Sequence, residues 1–219
     1  MKVLYKVVAI VLALAVIPVA LFVPFVKLVV TSKAASIFSG SEVLLDKAYS
    51  LSGLYESFLK GTEGKEPLDL KAFIAGIPES AKDALGANFI AFLAFFILAL
   101  LAVIAIVVLV LVCKKKKAIL IVTGLGLLFT IGMNIMFNRF AAPLVSGIVP
   151  VTDLLSTEVL SQFVGGGLAA IGGLLGSLLG GTKLVEIRLL SLSSAYIFML
   201  ILYIASLVWT LAHTLIDWE

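Results

Sequence analysis

Long apolar runs separated by short polar stretches set the pattern of this chain. Ala87 to Val112 and Ala118 to Phe137 hold no charged side chain, and Lys114, Lys115, Lys116 and Lys117 stand between them. A third run follows the basic start at Lys2 and Lys6 and continues past Pro24 to Val30, and a fourth covers Ala195 to Ile216. A helix rises about 1.5 Å per residue, so about 20 such residues match a hydrocarbon core of about 30 Å. The pattern therefore predicts a first span over 1–30, a second over 87–113, a lysine turn at 114–117, a third span over 118–137, and a last span with the C-terminus over 195–219. A signal peptide also opens with a basic start, but this run is longer than a usual apolar region and the small-residue site at Lys33-Ala34-Ala35-Ser36 is a poor one. A retained span is expected, kinked or loosened near Pro18 and Pro24.

Two segments between the spans read differently. Residues 31–86 are the most water-compatible part, with six lysines and eight acids. Ile37, Leu44, Leu51 and Phe58 recur every seven positions, which predicts an amphipathic helix over 37–60. Pro67 and Pro78 fit the first turns of two further helices, the later one leading into the second span. The whole is expected to be a small extracytoplasmic helical cap. Residues 138–194 are too apolar for a solvated loop. Pro143 and Pro150 are expected to break the chain there, with a short helix over Val151 to Phe163.

Within that segment, 164–181 is dominated by glycine and leucine. Small residues recur every four positions at Gly165, Ala169, Gly173, Ser177 and Gly181, and a second register runs through Gly172, Gly176 and Gly180. This overlapping small-xxx-small pattern is a glycine zipper, and it resembles fusion-peptide segments in composition. Glycine costs about 1 kcal/mol per residue in a water-exposed helix, so the segment needs lipid or close neighbours to hold it. The zipper either packs within the chain or serves self-association. It is also nearly long enough to cross a bilayer. The expected fold is an all-α integral membrane protein: a four-span helical bundle with 164–181 re-entrant or interfacial. A five-span arrangement is the alternative.

Composition and charge narrow the class. Of 219 residues, 62% are hydrophobic, with mean hydropathy +1.23, which no ordinary soluble domain shows. The net charge of +3 is distributed as membrane topology rather than as a groove for phosphates, so a nucleic-acid partner is not expected. The lysine cluster, Lys2 and Lys6 place the N-terminus and the lysine turn in the cytoplasm. The one cysteine, Cys113, lies at a span end, so no disulfide framework can staple the outer segments. Together with the lack of an Asn-x-Ser/Thr acceptor, this leans toward a prokaryotic plasma membrane.

Polar positions inside the spans are few. The second span gathers Ala87, Ala91, Ala94, Ala102 and Ala105 in one sector, a close-packing face. The third places Thr123, Gly126, Thr130 and Asn134 together, and Asn134 should find a partner. The last carries Tyr196, Tyr203, Ser206, Thr210, His213 and Asp217 on one side. Tyr203, Ser206, Thr210 and His213 either pack inside the bundle or line a wet path. No carboxylate or basic residue lies deep in a span, which disfavours coupled transport. Phosphate-loop, nucleophile-elbow and zincin motifs are absent, and one histidine with one cysteine cannot build a usual zinc site. Ser206 and His213 are about 10 Å apart along one helix, too far for a dyad. The expectation is a non-enzymatic protein without cofactor or metal. It would self-associate in the lipid bilayer as a homo-oligomer that could enclose a pore, or serve as an accessory subunit of a larger membrane transport, secretion or envelope complex.

Overall fold

The computed structural model describes residues 3–31, 43–53, 55, 79–112, 116–146 and 186–216. In chain order the elements are helix α1 (Val3–Phe22), strands β1 (Val26–Thr31) and β2 (Val43–Tyr49), helices α2 (Glu79–Val112) and α3 (Lys116–Val145), strand β3 (Glu186–Leu192) and helix α4 (Ser194–Ile216). Four stretches within these helices are long and apolar enough to cross a membrane: Val3–Phe22, Gly86–Val112, Lys116–Val145 and Ser194–Leu215. The chain divides into two compact units. One comprises residues 1–25, 89–137 and 192–219, the other 26–88 and 138–191.

The first unit is a bundle of the four helices. Each helix buries a seam spaced by threes and fours, the repeat that lets one helix face stay on its neighbours. In α1 the seam is Tyr5, Ala9, Ala13, Val16 and Ala20. In α2 it is Phe92, Ala99, Val103, Ile106 and Val110, and in α3 Ile119, Thr123, Thr130, Met133 and Phe137. In α4 it is Ala195, Met199, Tyr203, Ser206 and Thr210. The opposite faces are aliphatic and exposed, as at Val11, Leu101, Ile104, Leu128 and Val208. That is the inverse of a soluble helix and suits lipid.

Contacts at the two ends fix the helix directions. At one end Tyr5 of α1 packs edge-on against His213 of α4, their ring centroids 5.1 Å apart, and Lys116 opens α3 beside the His213 carbonyl. At the other end the Ala195 N–H donates to the Pro24 carbonyl at 2.9 Å and the Ser193 N–H to the Phe25 carbonyl at 2.8 Å. There Phe25 also packs on Phe92 and Phe96, and Phe92 on Phe137. The spans run up and down in turn, and both Val3 and Ile216 lie at the lysine-bearing end. Phe137 of α3 and the start of α4 share the far end.

The second unit contains a three-stranded sheet in the order β2-β1-β3. Strands β1 and β2 are antiparallel, with Val29 opposite Asp46 and a register shift between Val30 and Thr31. Lys27 bridges Asp46 at 3.2 Å. Beyond β2, the Ser50 Oγ accepts the Gly53 N–H at 3.0 Å and so caps a helical turn that begins at Leu51.

The sheet corrects several expectations. The fold is mostly helical but not all-α. The first span is not 1–30, because α1 stops at Phe22. Its last backbone bond runs from the Val23 N–H to the Val19 carbonyl, and Pro24 next has no N–H to continue the ladder and disfavours a helical residue before it. Val26 to Thr31, rich in β-branched residues, then pairs as a strand. The helix expected over 37–60 is replaced at Val43–Tyr49 by β2, where pairing with β1 outweighs a seven-residue period. Glu186–Leu192, expected to lie in the apolar extracytoplasmic segment 138–194, is β3. Pro143 does not break α3: it sits in the last turn, where little ladder remains to lose, and the Ser146 N–H and Oγ reach the carbonyls of Ala142 and Pro143. The span from α3 thus runs past 137, and α2 begins before 87. Pro18 lies within a continuous α1. The expected helices at Pro67 and over Val151 to Phe163, Pro78, and the segment 164–181 fall outside the described residues.

Candidate functional site

Hydroxyls buried in an apolar bundle need partners, and most of those here use a backbone carbonyl. In α3 the Thr123 Oγ1 donates to the Ile119 carbonyl and the Thr130 Oγ1 to the Gly126 carbonyl, both at 2.8 Å. In α4 the Thr214 Oγ1 donates to the Thr210 carbonyl at 2.7 Å. Each bond reaches back one turn, which satisfies the hydroxyl without a second helix. Tyr203 reaches across helices instead: its hydroxyl donates to the Ala99 carbonyl of α2.

The polar stripe of α4 is therefore an internal seam. Tyr203, Ser206 and Thr210 are 1%, 2% and 0% exposed, and His213 is half-buried. Tyr203 lies over Gly126 of α3, where a Cβ would stand 2.8 Å from the ring Cζ and 3.1 Å from the Ala102 Cβ. Three helices meet at this point, and only a residue without a side chain fits beneath the ring. Further along, Asn134 of α3 lies beside the Tyr196 side chain of α4. Of the alanine face expected on α2, Ala102 is buried and Ala91 and Ala105 are half-buried, whereas Ala87 and Ala94 are exposed.

Toward the lysine-bearing end the seam becomes aromatic and polar. The His213 ring sits between Tyr5, at 5.1 Å, and Trp209, at 4.6 Å, both edge-on. The Lys116 Nζ lies 5.6 Å from the Tyr5 ring centroid and donates to the His213 carbonyl at 2.8 Å. A lysine in the first turn of its own helix opposes that helix's dipole. Here it also reaches the negative C-terminal end of α4 and satisfies one of the carbonyls that end leaves free. The neighbouring Tyr5 Oη, Ser206 Oγ, Trp209 Nε1 and Thr210 Oγ1 are buried and have no hydrogen-bond partner among the described residues. The Tyr5 and Thr210 side chains neighbour each other across α1 and α4.

The sequence pattern singled out Tyr203, Ser206, Thr210 and His213, and the fold brings them onto one internal seam. It missed Tyr5 and Trp209. The available signal was Tyr5 itself, the one polar aromatic in the first span. Lys116 and Lys117 open α3, while Lys114, Lys115 and Asp217 lie outside the described residues. So do the zipper positions Gly165, Ala169, Gly172, Gly173, Gly176, Ser177, Gly180 and Gly181. Among the described residues no three His, Cys, Asp or Glu side chains gather as a metal site would require. No protein-family model, no curated protein and no solved structure matches the chain. What the structure defines is a class: a protein with four helices fit to cross a membrane, a bundled polar seam and a three-stranded sheet.

Proposed function

We propose that this protein is a non-enzymatic, multi-span membrane protein that self-associates into a homo-oligomer. The observation that carries the reading is the doubled small-xxx-small register from Gly165 to Gly181. Small side chains on one helix face allow backbones to approach, the main route to helix association where lipid removes the hydrophobic drive. The bundle supports the reading from the other side. Its seams are filled by its own side chains, and its outward faces are aliphatic, without a polar path on the surface of the described spans. The stripe at Tyr203, Ser206 and Thr210 is occupied by the chain's own helices, which favours packing over a pore lining. By the positive-inside rule, the lysine-bearing end, with the helix ends at Val3 and Ile216, faces the cytoplasm of what we read as a prokaryotic plasma membrane.

Single cysteines at Gly173→Cys and Gly176→Cys, in a Cys113→Ala background and in native membranes, test the reading. Crosslinked dimers from one register and not the other are expected. No crosslinking from either register overturns self-association through this segment and favours an accessory subunit held by a different protein.

A further inference from the structure

The hydroxyls of the bundle fall into two groups. Thr123, Thr130, Thr214 and Tyr203 each bond a backbone carbonyl. Tyr5, Ser206 and Thr210 do not, although a helical serine or threonine commonly turns back to the carbonyl four residues earlier. Ser206 and Thr210 stand one turn apart on α4, Tyr5 faces Thr210 from α1, and the Trp209 indole N–H is in the same turn. The unsatisfied groups are thus not scattered through the bundle but gathered at one place in it.

A gathering of this kind suits one ligand. Atoms so deeply buried exclude a lipid headgroup, and no charged side chain is among the four. Together they offer three hydroxyls that both donate and accept and one indole that donates only. A buried water typically makes about three hydrogen bonds to groups that would otherwise lack them. We propose that bound water occupies the α1–α4 seam between Tyr5, Ser206, Trp209 and Thr210, as an internal polar site near the lysine-bearing end. The His213 ring, held between Tyr5 and Trp209, and the Lys116 ammonium over the Tyr5 ring close it toward that end.

The test is magnetisation transfer from water to the Trp209 indole N–H, by solid-state NMR on the full chain in lipid bilayers. Trp218→Phe removes the other indole signal. A long-lived water cross-peak at Trp209 is expected, lost or strongly reduced in Thr210→Val and in Tyr5→Phe. Either variant suffices if the other does not fold. Absence of the cross-peak, or a cross-peak unchanged by these substitutions, overturns the proposal.

Discussion

Tyr203 lies directly over Gly126, and its hydroxyl reaches past that glycine to the Ala99 carbonyl. A ring from α4, a bare backbone in α3 and a carbonyl in α2 thus form one contact. Gly126→Ala places a methyl group against the Tyr203 ring and the Ala102 Cβ, and the ring, tied by its hydroxyl to the Ala99 carbonyl, has little room to yield. A loss of about 1–3 kcal/mol is expected, the usual cost of overpacking. Tyr203→Phe keeps the ring and removes one hydrogen bond, for about 1 kcal/mol. Reversible unfolding in mixed micelles reads both, and the pair should be non-additive.

Two other glycines grade the same effect. At Gly132 an added Cβ meets the Phe95 ring at 2.9–3.2 Å, and at Gly124 it meets only Leu207 Cδ1 at 4.0 Å. Phe95 is half-buried and can swing, so Gly132→Ala should cost less than Gly126→Ala. Gly124→Ala should be neutral or stabilising, since alanine is favoured over glycine in helices by up to about 1 kcal/mol. A different order of melting temperatures would contradict the packing described.

Lys116 is expected to stabilise α4 through the carbonyl of His213. Lys116→Met keeps much of the apolar stem and removes the ammonium, for a loss of about 0.3–1 kcal/mol, the scale of a charge at a helix end. Amide exchange should quicken in the last turn of α4 while the middle of the helix is unchanged. Uniform exchange along α4 in the variant would show that the lysine serves topology alone.

The spans were legible because length and apolarity alone set them, and the face of α3 was legible because Thr123, Gly126 and Thr130 stand out in an aliphatic helix. The face of α2 was not. Where nearly every residue is apolar, hydropathy has no direction, and small size drew attention to Ala87 and Ala94 while Phe92, Val103 and Ile106 took the seam. The sheet was hidden for a different reason. Val26–Thr31 reads as the tail of a span until its partners are known, and β3 lies far along the chain. Tyr5 escaped notice because a lone tyrosine near a basic start resembles an interface anchor.

Strand β1 has neighbours on both sides in the described sheet, whereas β2 has one. Val29→Pro should therefore break more of the sheet than Lys47→Pro, because a central strand needs its N–H groups. Limited proteolysis of the two variants in membranes reads the difference as faster cleavage in the first. By contrast Asp46→Ala removes a bridge whose side chains are 40% and 54% exposed, and should change stability by no more than about 1 kcal/mol.

The account's central claim is self-association, and the mass of the purified full chain in a native-like lipid particle tests it most directly, with Gly173→Leu alongside. A discrete oligomer that the substitution dissociates is the predicted result. A monomer whose mass the substitution leaves unchanged would contradict it.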